Sequence, residues 1–364
     1  MSNYLVTLKP MEPYFFGGER TFGFGEKVNE EIVTYSNYFI KSEDLMSQTT
    51  LLGALRFLIL KEKDKLNLSP SETDDLIGET SFSFEKGSQS FGNIENISPL
   101  FLIYNDKDYY IKTPFNHNMK NEIYTPFKVE KYSNLKTSIG VTAFPNKGEY
   151  DPKEGVANSF MNLSTGALSI YNEKICNESL FKPHIQTGIK KTLSGNKKDQ
   201  DNSFFKKEYK TLNKDFKFAF FVKTKKVDDL PKKDMVILGQ GKSLFEFSSE
   251  EKKDDLDVEI KKAFKNKIKS DESFYYAISD IFPNDSFYEN KENKGFYIAE
   301  KKYFRNLNSD MSKDNYYEKL KKSKLYTLLK AGSVFYFDDD KDIKNENLEK
   351  IGFNKYIKIE GEKK

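Results

Sequence analysis

Residues 3–9 form an apolar-rich run that Pro10 and Pro13 close, and it reads as a first strand. Residues 12–46 follow with glycines at 17, 18, 23 and 25 and no steady period, so a long irregular segment is expected. The run Thr49-Thr50-Leu51-Leu52-Gly53-Ala54-Leu55-Arg56-Phe57-Leu58-Ile59-Leu60-Lys61 is the clearest helical pattern, and Ser47 or Thr49 can cap it. Apolar residues nearly encircle that helix, apart from a stripe of Thr49, Gly53 and Arg56 at spacings of four and three. Such a helix wants burial on most sides. Gly53 then reads as a point of close helix packing, and Arg56 as one half of a buried or half-buried ion pair.

Short strand patterns come next at 81–84, 100–104 and 109–112, and Pro114, Pro126, Pro145 and Pro152 punctuate a loop-rich stretch over 113–165. Residues 179–191 and 203–212 flank the polar run Ser194-Gly195-Asn196-Lys197-Lys198-Asp199-Gln200-Asp201-Asn202, which predicts a long β-hairpin with a mobile tip. Residues 216–224 make another strand. Val236-Ile237-Leu238 leads through Gly239-Gln240-Gly241-Lys242 into a strand over 243–247. An amphipathic helix of mixed charge is expected over 251–267, with further strands at 274–279, 295–299 and 332–337. Strands interrupted by few, well-separated helices argue an α+β fold rather than a doubly wound parallel sheet. The sequence carries no internal repeat and no coiled-coil heptads.

Composition adjusts this picture in three ways. The 364 residues suit two ordinary domains. Apolar residues are scarce at 37%, so the core must lean on the 32 Phe and 22 Tyr. No stretch approaches the roughly 18 consecutive apolar residues of a membrane span, and Met1-Ser2-Asn3-Tyr4-Leu5 shows no signal-peptide pattern, so a soluble, cytoplasmic chain is expected. A single cysteine, Cys176, rules out an internal disulfide and a multi-thiolate metal site. His117 and His184 leave little for zinc or for His-based catalysis. All but three of the 59 basic residues (Arg20, Arg56 and Arg305) are lysines, which reads as compositional bias. Their distribution carries more. Residues 182–226 hold 13 lysines against Asp199, Asp201, Glu208 and Asp215, a net +9 in a chain whose total is +3. Either a solvated lysine-rich face or one surface for an anionic partner accounts for that excess.

Candidate chemistry is thin. Gly239-Gln240-Gly241-Lys242-Ser243 lacks the upstream glycine of a nucleotide-binding loop, since position 236 is Val, and a strand pattern follows it instead of a helix. What remains is a glycine-rich β-turn whose amides and Lys242 suit a phosphate or a base edge, or an ordinary tight hairpin. Gly17-Gly18-Glu19-Arg20 has no dinucleotide-binding context, and Asp338-Asp339-Asp340 reads as a solvated turn. A nucleophilic triad would have to use His117 or His184, neither with a supporting motif. A metal-independent ribonuclease built on His, Lys and Tyr, or a protein-interaction module with a lysine-rich face, stands as an alternative.

Five segments in order resemble a known family. Thr49-Thr50-Leu51-Leu52-Gly53-Ala54-Leu55-Arg56 is similar to the first-helix signature of the repeat-associated RNA-binding (RAMP) superfamily of CRISPR effector complexes. Leu8-Lys9-Pro10-Met11-Glu12-Pro13-Tyr14-Phe15-Phe16 with Gly17-Gly18-Glu19-Arg20-Thr21-Phe22 resembles the start of the third subunit of the type III-B Cmr complex. Phe181-Lys182-Pro183-His184-Ile185-Gln186-Thr187-Gly188-Ile189 with residues 204–212 is similar to that family's central hairpin, and Leu238-Gly239-Gln240-Gly241-Lys242 to its glycine-rich loop. Leu329-Lys330-Ala331-Gly332-Ser333-Val334-Phe335-Tyr336-Phe337 and Ile351-Gly352-Phe353-Asn354 resemble its C-terminal pattern.

The resemblance implies two ferredoxin-like (RRM-like) modules with long insertions and a protruding β-hairpin, divided as 1–247 and 248–364. It implies a non-catalytic subunit that holds the repeat-derived 5′ handle of a guide RNA beside the large polymerase-like subunit and the backbone subunits. No cofactor, metal, small-molecule substrate or membrane belongs to that role. Single-stranded RNA is held by lysines on phosphates, stacking on aromatics and close-approaching amides. Candidate RNA-binding residues are therefore Ser47, Gln48, Thr49 and Arg56 on the first helix, Lys190, Lys191 and Lys207 on the hairpin, and Gly239, Gln240 and Lys242 in the glycine turn. Phe204, Phe205 and Tyr209 interleave with the hairpin lysines as candidates for stacking, and the aromatic residues of 15–24 suit a protein interface. Charge reversal at Lys190 and Lys191 is expected to lower the guide RNA that copurifies with the complex; unchanged RNA content would remove both from the site.

Overall fold

The first strand lies inside the largest sheet, paired on both edges, with Tyr4, Val6 and Leu8 buried on one face and Leu5 on the other. A computed structural model describes residues 2–21, 26–28, 31–33, 38–78, 81–131, 143–145, 155–169, 180–189, 204–226, 229–239, 241–264, 270–288, 296–309, 320–337 and 339–361. The N-terminal part runs β1 (Ser2–Pro10), β2 (Gly17–Thr21), β3 (Tyr38–Ser42), α1 (Gln48–Glu62), α2 (Pro70–Ile77), β4 (Ile94–Ile97), β5 (Phe101–Tyr104), β6 (Asp108–Lys112) and β7 (Phe160–Asn162). Then come the hairpin β8 (Phe181–Ile189) and β9 (Phe204–Leu212), followed by β10 (Phe216–Thr224), β11 (Lys233–Leu238) and β12 (Ser243–Glu251). The C-terminal part holds α3 (Leu256–Phe264), β13 (Phe274–Ala277), β14 (Phe296–Ile298), β15 (Lys301–Phe304), β16 (Tyr326–Leu329), β17 (Val334–Tyr336), α4 (Glu346–Glu349) and β18 (Tyr356–Ile359). This is the expected α+β class.

Eight strands form the main sheet in the order β7-β6-β5-β10-β1-β12-β11, with β4 also pairing β10, and every pairing is antiparallel. Side chains alternate faces along a strand. Tyr4, Val6 and Leu8 of β1 join Phe218, Phe220, Phe245 and Phe247 in one cluster, against Leu51, Leu55, Leu58 and Ile59 of α1. Leu5, Ala219 and Phe221 point the other way, to Phe274, Tyr276 and Val334 of the C-terminal sheet and Leu256 and Ile260 of α3. Burial on both faces requires a nearly continuous apolar run, which is what Phe218-Ala219-Phe220-Phe221-Val222 supplies. The C-terminal sheet is a separate antiparallel ladder, β14-β17-β13-β18.

Several expectations change. The division at 247/248 falls inside β12, which continues to Glu251. Tyr326, Leu328, Leu348 and Phe353 from the C-terminal part also complete the α1-side core. Residues 81–84 are irregular, not a strand: Phe82 and Phe84 are buried in an edge-on ring pair at 4.9 Å, and Phe84 meets Tyr326 at 4.8 Å. Packing, not a ladder, spaces those two rings. The helix expected over 251–267 occupies Leu256–Phe264, with 265–269 outside the described residues. Residues 12–46 contain β2 and β3 instead of remaining irregular. Helix α2 went unread although Ser69 and Glu72 form a capping box with Pro70 at the first turn. Gly53 is exposed, and a β-carbon there would meet nothing within 4 Å, so close packing is not its role.

Phe218 is fully buried and meets Tyr14 edge-on at 5.5 Å. Phe218→Ala is expected to cost about 3–5 kcal/mol of stability, read as a lower denaturation midpoint of the purified chain.

Candidate nucleic-acid interface

Strands β8 and β9 pair over nine positions, from Phe181↔Leu212 to Ile189↔Phe204. Directly opposed residues of an antiparallel pair share a face. His184 therefore stands beside Tyr209 and Gln186 beside Lys207, while Lys206, Glu208 and Lys210 take the opposite face. Residues 182–187 are exposed throughout, and β8 is the edge of a four-stranded sheet ordered β8-β9-β3-β2, in which β3 runs parallel to β9. Pro183 is tolerated on this edge for a definite reason. Its partner Lys210 turns both backbone groups the other way, to Tyr14 (2.8 and 2.9 Å), so the missing proline N–H leaves no ladder bond unmade.

Tyr14, Phe15 and Phe16 alternate like a strand, and that alternation separates core from site. Tyr14 and Phe16 enter the α1-side core beside Phe218 and Phe245. Phe15, also fully buried, turns toward the hairpin and meets the Tyr209 ring at 5.7 Å. The Lys207 ammonium lies 3.9 Å from the Phe15 ring centroid and 4.8 Å from that of Tyr209. Two ring faces thus fix the position of a half-buried cation, each contact worth roughly 0.5–2 kcal/mol. Of the aromatic residues of 15–24 expected at a protein interface, Phe15 and Phe16 are buried instead, and Phe22 and Phe24 lie outside the described residues.

The turn between β11 and β12 closes over the same ring. Gly239 has φ +73°, and a β-carbon there would fall 2.4 Å from the Phe15 carbonyl oxygen. Gly241 is nearly as tight, with Phe15 Cβ 3.0 Å and Tyr209 Cε1 3.4 Å from where its β-carbon would stand. Lys242 donates its N–H to the Gly239 carbonyl (3.1 Å) and holds φ +53°, a left-handed conformation costly for a lysine. It is exposed beside the hairpin. The Glu12 carboxylate accepts from the Leu244 N–H (2.9 Å), and the Ser243 hydroxyl donates to the Pro13 carbonyl (3.2 Å). These bonds stitch residues 12–16 to the turn and leave an open cleft of about 390 Å³ against β8.

The expected site residues separate into three groups. Lys207, Gly239 and Lys242 come together here. The α1 residues do other work: the Ser47 hydroxyl caps the helix by accepting from Thr50 N–H (3.3 Å), and Thr49 is half-buried next to it. Gln48 is buried, its amide NH₂ donating to the Ile351 carbonyl (3.3 Å) and its oxygen accepting from the Leu100 N–H (3.0 Å), tight against Gly352, whose β-carbon would stand 2.9 Å from Gln48 Cδ. Arg56 is buried and its Nε donates to the Ile77 carbonyl (2.8 Å), tying α1 to α2. Lys190, Lys191 and Gln240, with the hairpin tip, lie outside the described residues. So do the side chains of Phe204 and Phe205. Glu12 carries no local signal, while Phe15 reads from the sequence as an interface residue and Gly241 as part of a turn; their role here depends on contacts between segments some 200 residues apart.

The two histidines differ. His117 is buried, its Nδ1 accepting from Thr125 N–H (3.2 Å) and its Nε2 at the Asn121 carbonyl (3.0 Å). Burial pushes it down to about 4, so at neutral pH it is an uncharged loop tie. His184 is exposed at the cleft. Lys210 ion-pairs with Glu208 (3.0 Å) and Asp44 (3.5 Å) and faces away from the cleft. Burial opposes its charge, but Asp44 and Glu208 prevail and raise it above the ordinary lysine value. Among the described residues no group of three or more His, Cys, Asp or Glu is placed to hold a metal, and no helix is long and apolar enough to cross a membrane.

A family model described as CRISPR-associated protein (Cas_Cmr3) matches residues 6–359. A comparison with curated proteins returns no match. Among solved structures, a chain in the cryo-EM structure of the type III-B Cmr-beta bound to cognate target RNA is 15% identical, with 97% of this chain and 96% of that one covered and a TM-score of 0.51. A chain of the same complex bound to target RNA and AMPPnP, state 1, is 17% identical, with the same coverage and a TM-score of 0.51. At these identities the likeness is one of fold.

Gly239→Ala is expected to strain the turn twice, through its positive φ and its contact with Phe15, and to lower stability by about 1 kcal/mol or more. A thermal melt of the purified variant checks this.

Proposed function

Because this chain belongs to the Cas_Cmr3 family of CRISPR-associated proteins, we propose that it is a non-catalytic subunit of a type III-B RNA-guided effector complex. In this reading it holds the repeat-derived 5′ handle of the guide RNA and bridges the large polymerase-like subunit to the backbone subunits. The observation that carries the RNA-binding part is the Lys207 ammonium between the Phe15 and Tyr209 rings, beside the Gly239 turn and Lys242. A fixed cation, an exposed lysine and an aromatic face are what a splayed single strand needs from a protein. The remaining hairpin lysines add sequence-independent attraction. Two ferredoxin-like modules, divided after Glu251, belong to the same proposal.

One observation favours a second reading. Register brings His184, Tyr209 and Lys207 onto one face, the residue types of a metal-independent ribonuclease. A repeat RNA cut by the purified chain, and spared by His184→Ala, would replace the scaffold role with that activity.

The double variant Lys207→Glu, Lys242→Glu in the reconstituted complex is expected to retain less guide RNA. Single neutralisations should each flatten the salt dependence of RNA binding by about one unit of slope. Unchanged guide content and slope would move the RNA to another surface.

A further inference from the structure

We propose that the cleft between Glu12–Pro13 and β8 takes one unstacked nucleobase and reads its N–H donor edge through the Glu12 carboxylate, guanine being the base that satisfies it best. This rests on the reading that the chain binds single-stranded RNA.

Charge first distinguishes the cleft. Lys182 is exposed on the same hairpin face as His184 and Gln186, Lys242 is exposed between Gly241 and Ser243, and Lys207 packs on the Tyr209 ring of the wall, yet the lip carries an acid, Glu12. A carboxylate repels phosphate, so Glu12 does nothing for the backbone contacts that the lysines make. It suits a ligand group that donates hydrogen bonds.

Geometry gives the carboxylate a direction. One oxygen of Glu12 accepts from the Leu244 N–H (2.9 Å), in a strand paired on both sides, so the group does not swing freely. Its second oxygen has no partner among the described residues, and with the remaining lone pair of the first it can accept from a ligand. The volume of about 390 Å³ is within the range of small-molecule sites and fits one nucleotide, not a helix. Tyr209 supplies a ring already held by Phe15 and Lys207 on its other contacts, and Pro13 and His184 add flat surface. Gly241 keeps the cleft open, because a side chain there would press on Phe15 and Tyr209.

The base follows from donor patterns. Guanine places two adjacent donors, N1–H and N2–H₂, on its Watson–Crick edge and can meet a carboxylate with both. Adenine and cytosine each offer one exocyclic donor next to a ring acceptor that the carboxylate repels, and uracil flanks its single N–H with two carbonyls. Gln186, exposed on the facing strand, can donate its amide N–H to the guanine O6.

The test is selection of randomised eight-nucleotide RNAs by the purified full-length chain, with the bound pool sequenced. Guanine is expected at one position, enriched roughly tenfold or more, the size of a good bidentate base contact. Glu12→Gln keeps an oxygen for the Leu244 amide and removes the charge. It should erase that enrichment in the RNA that remains bound. Gly241→Ala should weaken the preference by narrowing the cleft. A parallel titration with guanosine monophosphate separates the sources: saturation with the free nucleotide assigns the pocket to a mononucleotide, and selection without it assigns it to RNA. Bound RNA with no base preference, or a guanine preference that survives Glu12→Gln, overturns the pocket alone. Failure of the wild-type chain to bind any RNA overturns the RNA-binding reading and the pocket together.

Discussion

The antiparallel pair of β1 and β10, buried on both faces, is the constraint from which the rest of the structure follows. Leu5, Ala219 and Phe221 at the centre of one face and Val6 and Phe220 on the other are all buried, so a cover is required above and below. Helix α1 provides one cover and the β13-centred sheet with α3 the other. The chain therefore has to return its last hundred residues to the first sheet, and the two parts share cores. Gly352 and Gln48 are one consequence: the C-terminal loop approaches the start of α1 so closely that only a glycine fits.

The candidate site is built on the margin of that core. β12 places Phe245 and Phe247 inside, and its preceding turn carries Gly239, Gly241 and Lys242 outside. Residues 14–16 repeat the division, two rings going to the core and one to the hairpin. The position of Lys207 is thus coupled to core packing through Phe15, which lets a surface lysine act as a fixed charge. Half-buried ion pairs hold the surroundings in place. Lys302 meets Asp280 at 3.0 Å and Glu43 at 4.0 Å; burial opposes its charge, but those carboxylates prevail and keep it protonated. This clamps the segment before α1 to the C-terminal part.

The role of lysine illustrates why residue type alone misleads here. Lys210, Lys302 and Lys207 are identical letters in a lysine-rich chain, yet the first two are neutralised by nearby acids and the third is held by rings. Likewise, Arg56 looks like a site residue by its place in a helix signature, but a buried Nε bonded to the Ile77 carbonyl makes it a tie between helices. Gly53 looks like a packing residue and faces open space.

What the sequence determined by itself was local. Ser47 and the apolar circumference of 49–61 specify α1, the run 216–224 specifies a strand, and polar residues between 189 and 204 specify a hairpin, because caps, periods and turns act over a few residues. Ordered motifs likewise carried the family. Tertiary structure decided the rest: that Phe82 and Phe84 are core rings without a ladder, that residues 12–46 contribute strands to the hairpin sheet, and that Glu12, His184, Tyr209 and Gly241 meet at one cleft, with Phe15 and Lys207 packed on the Tyr209 ring behind it. Those contacts join positions up to 229 residues apart, and side chains so far apart in the chain are brought together only by the burial of the sheet between them.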